Sequence, residues 1–375
     1  MFFLRENIKN RFMLTCKKCL LNENYPNLTF NKDGVCCKCE NNQSFTPLNE
    51  EIFLKKLAKA KKKNSKYNAL VPLSGGKDST YILYLATKVY NLKVLTYTYD
   101  NGFFSRIALD NIKTAVEICG ADHFFYKPQI HIQKQAYRTM FKKTGDLCGT
   151  CDIGTKNSWL KISQKHKIPL ILLGISPLEN DSFIPDNIQD VKRFNYIMRN
   201  FSELSKEDIK NYTIYPKINY IRQFFLTRFG VFGKEISPLF FMENPSDHEM
   251  GEIIKKEMGW KDVNISEFTK HFDCIAEPFT NYVRNNIYGY ERRICQLSNM
   301  IRSGEISRNE AIDIYKKDNI AERPENTSEI LDFIGISEDE FQEILKLKPM
   351  QFENHTDKMN SLFAKGKAIK DKLVR

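Results

Sequence analysis

The sequence contains no long hydrophobic run. Its first segment, MFFLRENIKNRF, meets charge after four residues, and no later apolar run approaches the roughly 20 residues that a membrane-spanning helix needs. Two common nucleotide-binding signatures, the Walker A loop and G-x-G-x-x-G, are also missing. Internal repeats and long low-complexity tracts are absent as well. We therefore expect a soluble cytoplasmic protein that uses neither of those two nucleotide-binding loops.

The length and the charge of the chain bound its organisation and its partners. At 375 residues it exceeds a typical single domain, so two or three compact units are expected. An excess of Lys and Arg gives a formal net charge of +11. Such a charge suits an anionic partner, for example a nucleotide, an acidic sugar or RNA, but a lysine-rich composition without any such partner explains it equally well.

The ten cysteines are concentrated in closely spaced pairs. CKKC and CCKC contain Cys16 with Cys19 and Cys36 with Cys39, in a chain without a secretion signal. This spacing favours a shared metal ion over disulfides and matches a four-cysteine zinc ribbon. The DG dipeptide of the intervening NLTFNKDGVC predicts a hairpin turn. We predict that these four cysteines bind zinc and that Cys37 does not, the alternative being free thiols in a small hairpin.

Changes of pattern along the chain divide it into four segments. Residues 1–45 form the cysteine lobe, and the apolar spacing in 46–66 predicts a linking helix that ends in a lysine run. In 67–180, short apolar runs alternate with longer amphipathic segments, which predicts an α/β fold with a parallel sheet covered on both faces. Residues 181–375 contain SDHE, SRNE and SEDE, capping-box patterns that predict a mostly helical region. The dense aromatics between positions 194 and 241 are predicted to be core.

The stretch NALVPLSGGKDSTYILYLA places a polar turn between a predicted strand and a predicted helix. The turn consists of Ser74, Gly75, Gly76, Lys77, Asp78 and Ser79. Glycines let a backbone approach an anion closely, and the start of the following helix presents free N–H groups. The serine hydroxyls and Lys77, which we expect to be a surface charge, add donors, and Asp78 is a candidate ligand for Mg²⁺. We therefore predict a phosphate site at residues 74–79, beyond the carboxyl ends of the strands.

The SGGKDS turn resembles the PP-loop of the ATP pyrophosphatases, whose fold is of the adenine nucleotide α-hydrolase type. Five stretches in order are similar to those of the N-acetyl sugar amidotransferases within that superfamily: the cysteine ribbon, the PP-loop, CGTC, KKEMGWKD and GYERRICQLSNMIRSGEISRNEA. The resemblance implies that ATP adenylates an acetamido oxygen, that pyrophosphate is released, and that ammonia then gives an acetamidino sugar. Members of this family act in surface polysaccharide or flagellin-glycan synthesis, as in the pseudaminic acid pathway.

The resemblance also implies roles for particular residues. Residues 74–79 correspond to the loop that grips the β and γ phosphates of ATP, with Lys77 and Asp78 as its catalytic side chains. Asp100, at the end of the second predicted strand, and Gly174, in the LLGIS turn, are expected to flank the nucleotide. The tail arginines are either ligands of an acidic sugar or solvated helix charges; they are Arg292, Arg293 and Arg308.

A second branch of the same superfamily, the tRNA thiolation enzymes, also has paired cysteines. These enzymes hold an iron–sulfur cluster on a Cys-x-x-Cys pair and one later cysteine, and Cys148, Cys151 and Cys274 are candidates for such a set. Alternatively, the three thiols bind zinc, or Cys148 and Cys151 are simply reduced and buried side chains at a helix start. The sequence has no basic stretch interleaved with aromatics that would follow an RNA backbone, which favours the sugar enzymes.

The expected source of nitrogen follows from another absence. A glutamine-dependent amidotransferase needs a nucleophilic cysteine at the mature N-terminus or on a sharp strand-to-helix elbow. Phe2 follows the initiator methionine, and GDLCGTC lacks the small-residue spacing of an elbow around Cys148. We therefore expect a synthetase subunit that receives ammonia from a separate glutaminase. Its other substrate is expected to be an acidic or nucleotide-linked N-acetyl sugar.

Overall fold

The computed structural model describes residues 13–42, 45–63, 65–177, 190–213, 225–243, 245–262 and 273–347. Residues 1–12 of the predicted cysteine lobe lie outside the described residues, as do 181–189, 214–224, 263–272 and 348–375 of the predicted helical region. Within the described ranges, no helix combines the length and the apolarity that crossing a membrane requires.

A sheet of five parallel strands forms the centre of the fold. The strands are β1 Ala69–Pro72, β2 Val94–Tyr99, β3 Asp122–Tyr126, β4 Leu170–Leu172 and β5 Lys234–Ile236. Their spatial order is β3-β2-β1-β4-β5, so the chain builds one side of the sheet from β1 to β3 and then places β4 on the other side of β1. The parallel α/β fold predicted from the sequence is confirmed. The predicted domain limit at residue 180 stays a prediction, and β5 joins the sheet from beyond it.

Helices make up most of the remaining described residues. In chain order they are α1 Cys37–Glu40, α2 Glu50–Lys61, α3 Lys77–Tyr84, α4 Arg106–Cys119, α5 Ile130–Thr144, α6 Cys148–Lys165, α7 Val191–Phe201, α8 Lys206–Tyr212, α9 Asp247–Met258, α10 Glu277–Tyr288, α11 Arg292–Ser303, α12 Arg308–Asp318, α13 Thr327–Ile334 and α14 Glu338–Ile344. A π-helical turn, Leu85–Val89, extends α3, and a 3₁₀ turn, Pro238–Phe240, follows β5. The described part of the C-terminal region is mostly helical, as predicted.

The serine patterns that predicted helix starts in the C-terminal region form capping boxes. At the starts of α9, α12 and α14, the serine hydroxyl accepts from the amide three residues on, and the glutamate there accepts from the serine amide. Ser205 and Asp208 form the same arrangement at α8, with an aspartate in place of the glutamate. Each box satisfies two amide groups that a helix start leaves without intrahelical partners. These helix starts are therefore encoded locally.

Side chains of the central strand alternate between two apolar layers. Ala69 and Val71 pack on one face of the sheet with residues of α2, α3, α4 and α9, whereas Leu70 faces the opposite layer with α6. Every residue of β2 is buried, and its sequence VLTYTY suits a strand enclosed on both faces. Helix α9 comes from the C-terminal region but packs in the same layer as α3. The sheet and that part of the C-terminal region therefore share one core.

The predicted aromatic core between positions 194 and 241 is only partly correct. Phe194, Tyr212 and Phe232 are buried, but Phe225 is 50% exposed and Phe229 is 78% exposed. The aromatic density of this segment therefore did not distinguish side chains that pack inwards from those that face solvent. Sequence patterns also gave no indication of α5 and β5, because α5 is rich in polar residues and β5 has only three residues.

Candidate functional site

The phosphate loop, residues 74–79, lies at the carboxyl end of β1, where the sequence predicts it. Because β2 and β4 flank β1 on opposite sides, the loop lies where the strand order reverses, which is the usual ligand crevice of open parallel sheets. Helix α3 begins at Lys77 with Gly76 as its N-cap, and no side chain caps this end. The first amide groups of α3 are therefore available as donors for an anion.

Gly174 and Asp100 follow the carboxyl ends of the two strands next to β1. A Cβ atom at Gly174 would stand 2.9 Å from the carbonyl carbon of Asp78 and 2.9 Å from the amide nitrogen of Ser79. Because backbone atoms cannot yield as a flexible side chain does, only glycine lets the turn after β4 approach the start of α3 this closely. The Asp100 carboxylate, after β2, accepts from the Gly102 amide at 3.1 Å, and its side chain is 36% exposed. Both residues predicted to flank the nucleotide thus lie at the same edge of the sheet as the loop.

The backbone of Gly75 is fixed by groups outside the loop. Its φ angle is +80°, and a Cβ atom there would approach the carbonyl oxygen of Ala108 to 2.2 Å, so a larger residue does not fit. The Gly75 carbonyl oxygen accepts two hydrogen bonds, from Trp260 Nε1 at 2.9 Å and from Asn111 Nδ2 at 3.2 Å. Helix α4 and the segment that follows α9 therefore determine the shape of the phosphate loop.

The serine hydroxyls of the loop contact their neighbours in the loop through long hydrogen bonds. The Ser74 amide donates to Ser79 Oγ at 3.2 Å, and the Gly76 amide donates to Ser74 Oγ at 3.3 Å. The two serine hydroxyl oxygens are 3.1 Å apart. These distances lie at or beyond the long end of the normal ranges, so the bonds are weak. Phosphate oxygens form shorter, charge-assisted bonds and would replace them readily.

Lys77 is largely buried between two carboxylates. Its Nζ lies 2.8 Å from Asp78 Oδ1 and 2.8 Å from Asp247 Oδ1, and the three side chains are 14%, 23% and 9% exposed in that order. The expectation of a surface charge is therefore wrong, because the first residue of α9 covers it. Burial lowers the pKa of Lys77, but the two aspartates outweigh this effect and hold the pKa above its ordinary value. Burial raises the pKa of Asp78, and the Lys77 charge opposes that rise.

A further carboxylate, Asp273, borders the loop. A Cβ atom at Gly76 would stand 3.1 Å from Asp273 Oδ2, and the Asp273 carboxylate accepts a hydrogen bond from Ser74. Burial raises the pKa of Asp273, and the bond from Ser74 opposes that rise. Carboxylate oxygens are the ligands that Mg²⁺ prefers in proteins. The carboxylates present therefore fit a magnesium ion that accompanies bound phosphates, with Asp78 on the loop itself as the candidate ligand.

Sequence reasoning missed three residues of the C-terminal region that contact the loop. Asp247 lies in the SDHE pattern, which indicated only a helix start, and Trp260 lies in the GW segment, which carried a family resemblance without a role. Asp273 precedes Cys274, and of these two residues only Cys274 was predicted to be a ligand. Each residue therefore had a nearby signal, but no signal connected it with the phosphate loop.

The three tail arginines have different surroundings. Arg308 donates to two carbonyl groups of the cysteine ribbon, at 3.3 and 3.4 Å. Arg293 Nε donates to Asp318 at 2.6 Å, and both side chains are buried. The positive charge of Arg292 opposes the rise in the pKa of Asp273. Contact between Arg292 and a ligand of the loop stays a prediction.

The sulfur atoms of the four predicted zinc ligands converge. They all lie within 4.8 Å of one another, with Cys16 and Cys39 at 3.9 Å and Cys19 and Cys36 at 3.7 Å. Thiolates about 2.3 Å from a tetrahedral zinc ion would stand about 3.8 Å apart, so the set fits zinc. Backbone amides also donate to the Cys16 sulfur at 3.3 to 3.4 Å. Cys37 lies outside the group of four.

The ribbon packs on the C-terminal tail. The Leu20 amide donates to Ser298 Oγ at 3.1 Å, and Asn22 Nδ2 donates to the Gly289 carbonyl at 2.9 Å. Buried ribbon side chains share an apolar cluster with α11. The tail segment 289–311, which the sequence singled out by family resemblance, is therefore the surface that supports the ribbon, and Arg308 belongs to that surface.

The second cysteine set is clustered less tightly. Cys148 and Cys151 lie in the first turn of α6, and both contribute to the raised pKa of the Cys274 thiol, for which burial is the main cause. Burial also raises the pKa of Cys151 to about 12. Among the residues that the structure describes, only the ribbon brings three or more ligand atoms within 4.8 Å of one another. A second metal site at these thiols stays a prediction.

A comparison with protein families gives one match. Residues 247–369 match the family described as LPS biosynthesis protein WbpG-like, C-terminal domain. The chain carries a WbpG-like domain. This confirms, over the matched range, the family resemblance drawn from the sequence, including the GW segment and the tail. The WbpG-like domain also contributes Asp247, Trp260 and Asp273 to the surroundings of the phosphate loop.

Other comparisons are less informative. The chain is similar to U34-tRNA thiolase NcsA from Methanococcus maripaludis with its 4Fe-4S cluster, at 15% identity and a TM-score of 0.35, over 84% of this chain and 92% of that chain. It is similar to NMN synthetase from Francisella tularensis at 13% identity and a TM-score of 0.31, over 58% of this chain and 87% of that chain. Likeness at this level carries no argument about activity. No curated protein matched the chain.

The close approach of Gly174 to the loop predicts a steric effect of substitution. Gly174→Ala should lower the free energy of unfolding by about 1–3 kcal/mol, because the new Cβ meets backbone atoms that can move only together with α3. Chemical denaturation measures the change. Gly251→Ala in α9 is the control, since no atom lies within 4 Å of its new Cβ, and it should leave stability unchanged or slightly higher. Equal stability of the two variants would contradict the described packing.

The positions of the ribbon sulfur atoms predict that zinc binding depends on Cys16 but not on Cys37. Cys16→Ser should lose the metal and unfold the ribbon, whereas Cys37→Ser should keep about one zinc ion per chain, because Cys37 lies outside the converging set. Elemental analysis measures the zinc, and limited proteolysis reports whether residues 13–42 have become accessible. Zinc-free parent protein that still resists proteolysis would show that the ribbon folds without a metal.

Proposed function

We propose that the protein is an ATP-dependent amidotransferase that converts the acetamido group of an N-acetyl sugar to an acetamidino group. One observation carries the proposal: the phosphate loop and the WbpG-like domain meet in one site. Asp247, the first residue of the family match, contacts Lys77 of the loop at 2.8 Å. The loop supports use of ATP, and the family relationship to LPS biosynthesis supports a sugar as the second substrate.

The proposed reaction has two steps. The acetamido oxygen attacks the α phosphorus of ATP, and the bond to the β phosphate breaks, so that pyrophosphate leaves and an O-adenylyl imidate forms. Ammonia then adds to the imidate carbon, the bond from that carbon to the former amide oxygen breaks, and AMP departs with this oxygen. Loss of a proton completes the exchange of the carbonyl oxygen for nitrogen.

The residues of the loop have separate roles in this scheme. The amide groups at the start of α3 and the hydroxyls of Ser74 and Ser79 bind the β and γ phosphates and leave the α phosphate open to attack. Lys77 stabilises the charge that develops on the departing pyrophosphate, and Asp78 and Asp247 keep it protonated. Asp78 would hold Mg²⁺, which supplies further charge neutralisation when bound.

The substrate in this proposal is an acidic or nucleotide-linked N-acetyl sugar, with a nonulosonic acid such as pseudaminic acid as the first candidate. Arg292, beside Asp273 at the loop, is the candidate partner for its anionic group. The product would serve surface polysaccharide or flagellin-glycan synthesis. We propose that the reaction takes place in the cytoplasm, where ATP is available. A separate glutaminase that docks near the carboxyl ends of the strands would supply the ammonia.

One assay tests the proposed reaction. The protein is incubated with ATP, Mg²⁺ and either an ammonium salt or glutamine, together with pseudaminic acid or with UDP-linked N-acetyl sugars. We expect pyrophosphate, AMP and a product lighter than the substrate by the difference between an oxygen atom and an NH group, with ammonium but not with glutamine alone. Mass spectrometry detects the product. Formation of ADP in place of AMP would contradict the adenylation step, and turnover with glutamine alone would direct attention to Cys148 as a nucleophile.

The position of Lys77 predicts a specific loss of chemistry. Lys77→Ala should lower the rate of pyrophosphate release at least about a hundredfold, because the donor aimed at the leaving group is removed. It should also lower stability, since Asp78 and Asp247 then repel each other in a largely buried place. Lys55→Ala, at a side chain that is 75% exposed, is the matched control and should change neither quantity.

A double variant separates the two effects of Lys77. Lys77→Ala combined with Asp247→Asn removes one of the two unpaired carboxylates, so thermal unfolding should occur at a higher temperature than in the single variant. Pyrophosphate release should stay low. Recovery of activity along with stability would contradict a direct role for Lys77 in the reaction.

A further inference from the structure

The GW segment, Gly259 and Trp260, connects the end of α9 to the phosphate loop through a hydrogen bond to which the family resemblance assigns no role. Gly259 ends α9 with a φ of +62°, and the Trp260 amide then donates back to the Ile254 carbonyl at 3.2 Å. This turn directs the indole towards the loop, where Nε1 donates to the Gly75 carbonyl at 2.9 Å. Trp260 is 5% exposed, so the bond is shielded from water. In this contact, Gly259 provides the turn and Trp260 provides the N–H donor.

Asn111 donates a second hydrogen bond to the same carbonyl group. Its Nδ2 donates to the Gly75 carbonyl at 3.2 Å and to the Lys261 carbonyl at 2.8 Å, while its Oδ1 accepts from the Lys261 amide at 2.8 Å. Asn111 is 1% exposed. Its side-chain amide therefore holds the residue after Trp260 and the loop carbonyl at the same time. This arrangement fixes the indole and the loop relative to each other.

The orientation of one peptide group gives this contact a consequence for phosphate binding. In a planar trans peptide, the carbonyl and the N–H point in opposite directions. Because the Gly75 carbonyl is held towards Trp260 and Asn111, the Gly76 N–H must point to the inner side of the loop. There it donates only a long bond of 3.3 Å, to Ser74 Oγ. The donor is thus directed towards the place where a phosphate oxygen would bind.

We propose that Trp260 and Asn111 are positioning residues for the phosphate loop. They hold the Gly75–Gly76 peptide in the orientation that offers the Gly76 N–H to ATP. Neither side chain touches the nucleotide itself. The inference rests on the proposed function, since it requires that residues 74–79 bind the phosphates of ATP. It also explains why the first part of the WbpG-like domain is needed next to the loop: Asp247 at the start of α9 contacts Lys77, and Trp260 after its end contacts Gly75.

The chain offers a matched pair of variants, because it has only two tryptophans. Trp260→Phe keeps an aromatic ring in the core but removes the N–H donor to Gly75. Trp159→Phe makes the same chemical change away from the loop, where Trp159 Nε1 donates to Glu235 Oε1 at 2.8 Å. Each variant loses one indole hydrogen bond, buried at Trp260 and part-buried at Trp159, so both variants should unfold at a lower temperature than the parent. Only Trp260→Phe should weaken ATP binding.

ATP binding is measured in the presence of Mg²⁺ by isothermal titration calorimetry for the parent and both variants. We expect Trp260→Phe to raise the Kd for ATP roughly five- to tenfold, and Trp159→Phe to leave it unchanged. In Trp159→Phe, Trp260 is the sole tryptophan, so ATP should also change its fluorescence. Asn111→Leu should raise the Kd for ATP in the same direction as Trp260→Phe.

The outcomes separate this inference from the function on which it rests. If the parent binds ATP and Trp260→Phe binds it equally well, the positioning role is wrong while the phosphate loop stands. If Trp260→Phe lowers only the unfolding temperature, the contact is merely structural and the inference is again overturned. If the parent itself does not bind ATP, the proposed function fails first and the positioning role fails with it.

Discussion

A buried ammonium group joins two distant parts of this chain into one site. The Nζ of Lys77 is shared by a neighbour on its own helix and by Asp247, which lies 170 positions further along the chain. A charge removed from water must be paired, and the ammonium group of Lys77 has three N–H donors, of which Asp78 and Asp247 each accept one. Lys77 therefore has its described surroundings only when α9 packs against α3. In this way the electrostatics of the loop depend on the docking of the C-terminal region.

The C-terminal region also supports the backbone of the phosphate loop and, outside the site, the cysteine ribbon. Downstream of α9, the indole of Trp260 holds the Gly75 carbonyl, and the carboxylate of Asp273 lies against Gly76. Further along, the tail 289–311 supports the cysteine ribbon through Ser298 and Arg308. The ribbon and the phosphate loop are far apart in sequence, but residues of the WbpG-like domain contact both of them.

The features that the sequence predicted are those decided by residues a few positions apart. The converging cysteine pairs, the DG turn between them, the capping boxes and the strand–loop–helix order at residues 74–79 depend on local spacing and local backbone preference. The apolar runs of β1, β2 and β4 also predicted strands, because these strands are buried between two layers, whereas β3 at the edge of the sheet is only partly buried.

The features that the sequence did not predict depend on packing between distant segments. No local pattern shows that Asp247 would cover Lys77, so a buried ion pair was expected to be a surface charge. The role of Trp260 required knowing that α9 ends beside the loop, and β5 is a three-residue strand, KEI, defined mainly by its neighbour β4. Phe225 and Phe229 were predicted to be core but are exposed. Aromatic residues are buried on average, so an aromatic residue alone does not identify a core position.

A crystal structure with Mg²⁺ and α,β-methylene-ATP, whose α–β linkage cannot be cleaved, tests the account most directly. We predict that the β and γ phosphates contact the amide groups at the start of α3, that Lys77 Nζ contacts a phosphate oxygen, and that the bond from Trp260 to Gly75 is retained. The α phosphate should face Asp273 and Arg292. Phosphates bound elsewhere, or a loop that releases the Gly75 carbonyl to bind them, would contradict the account.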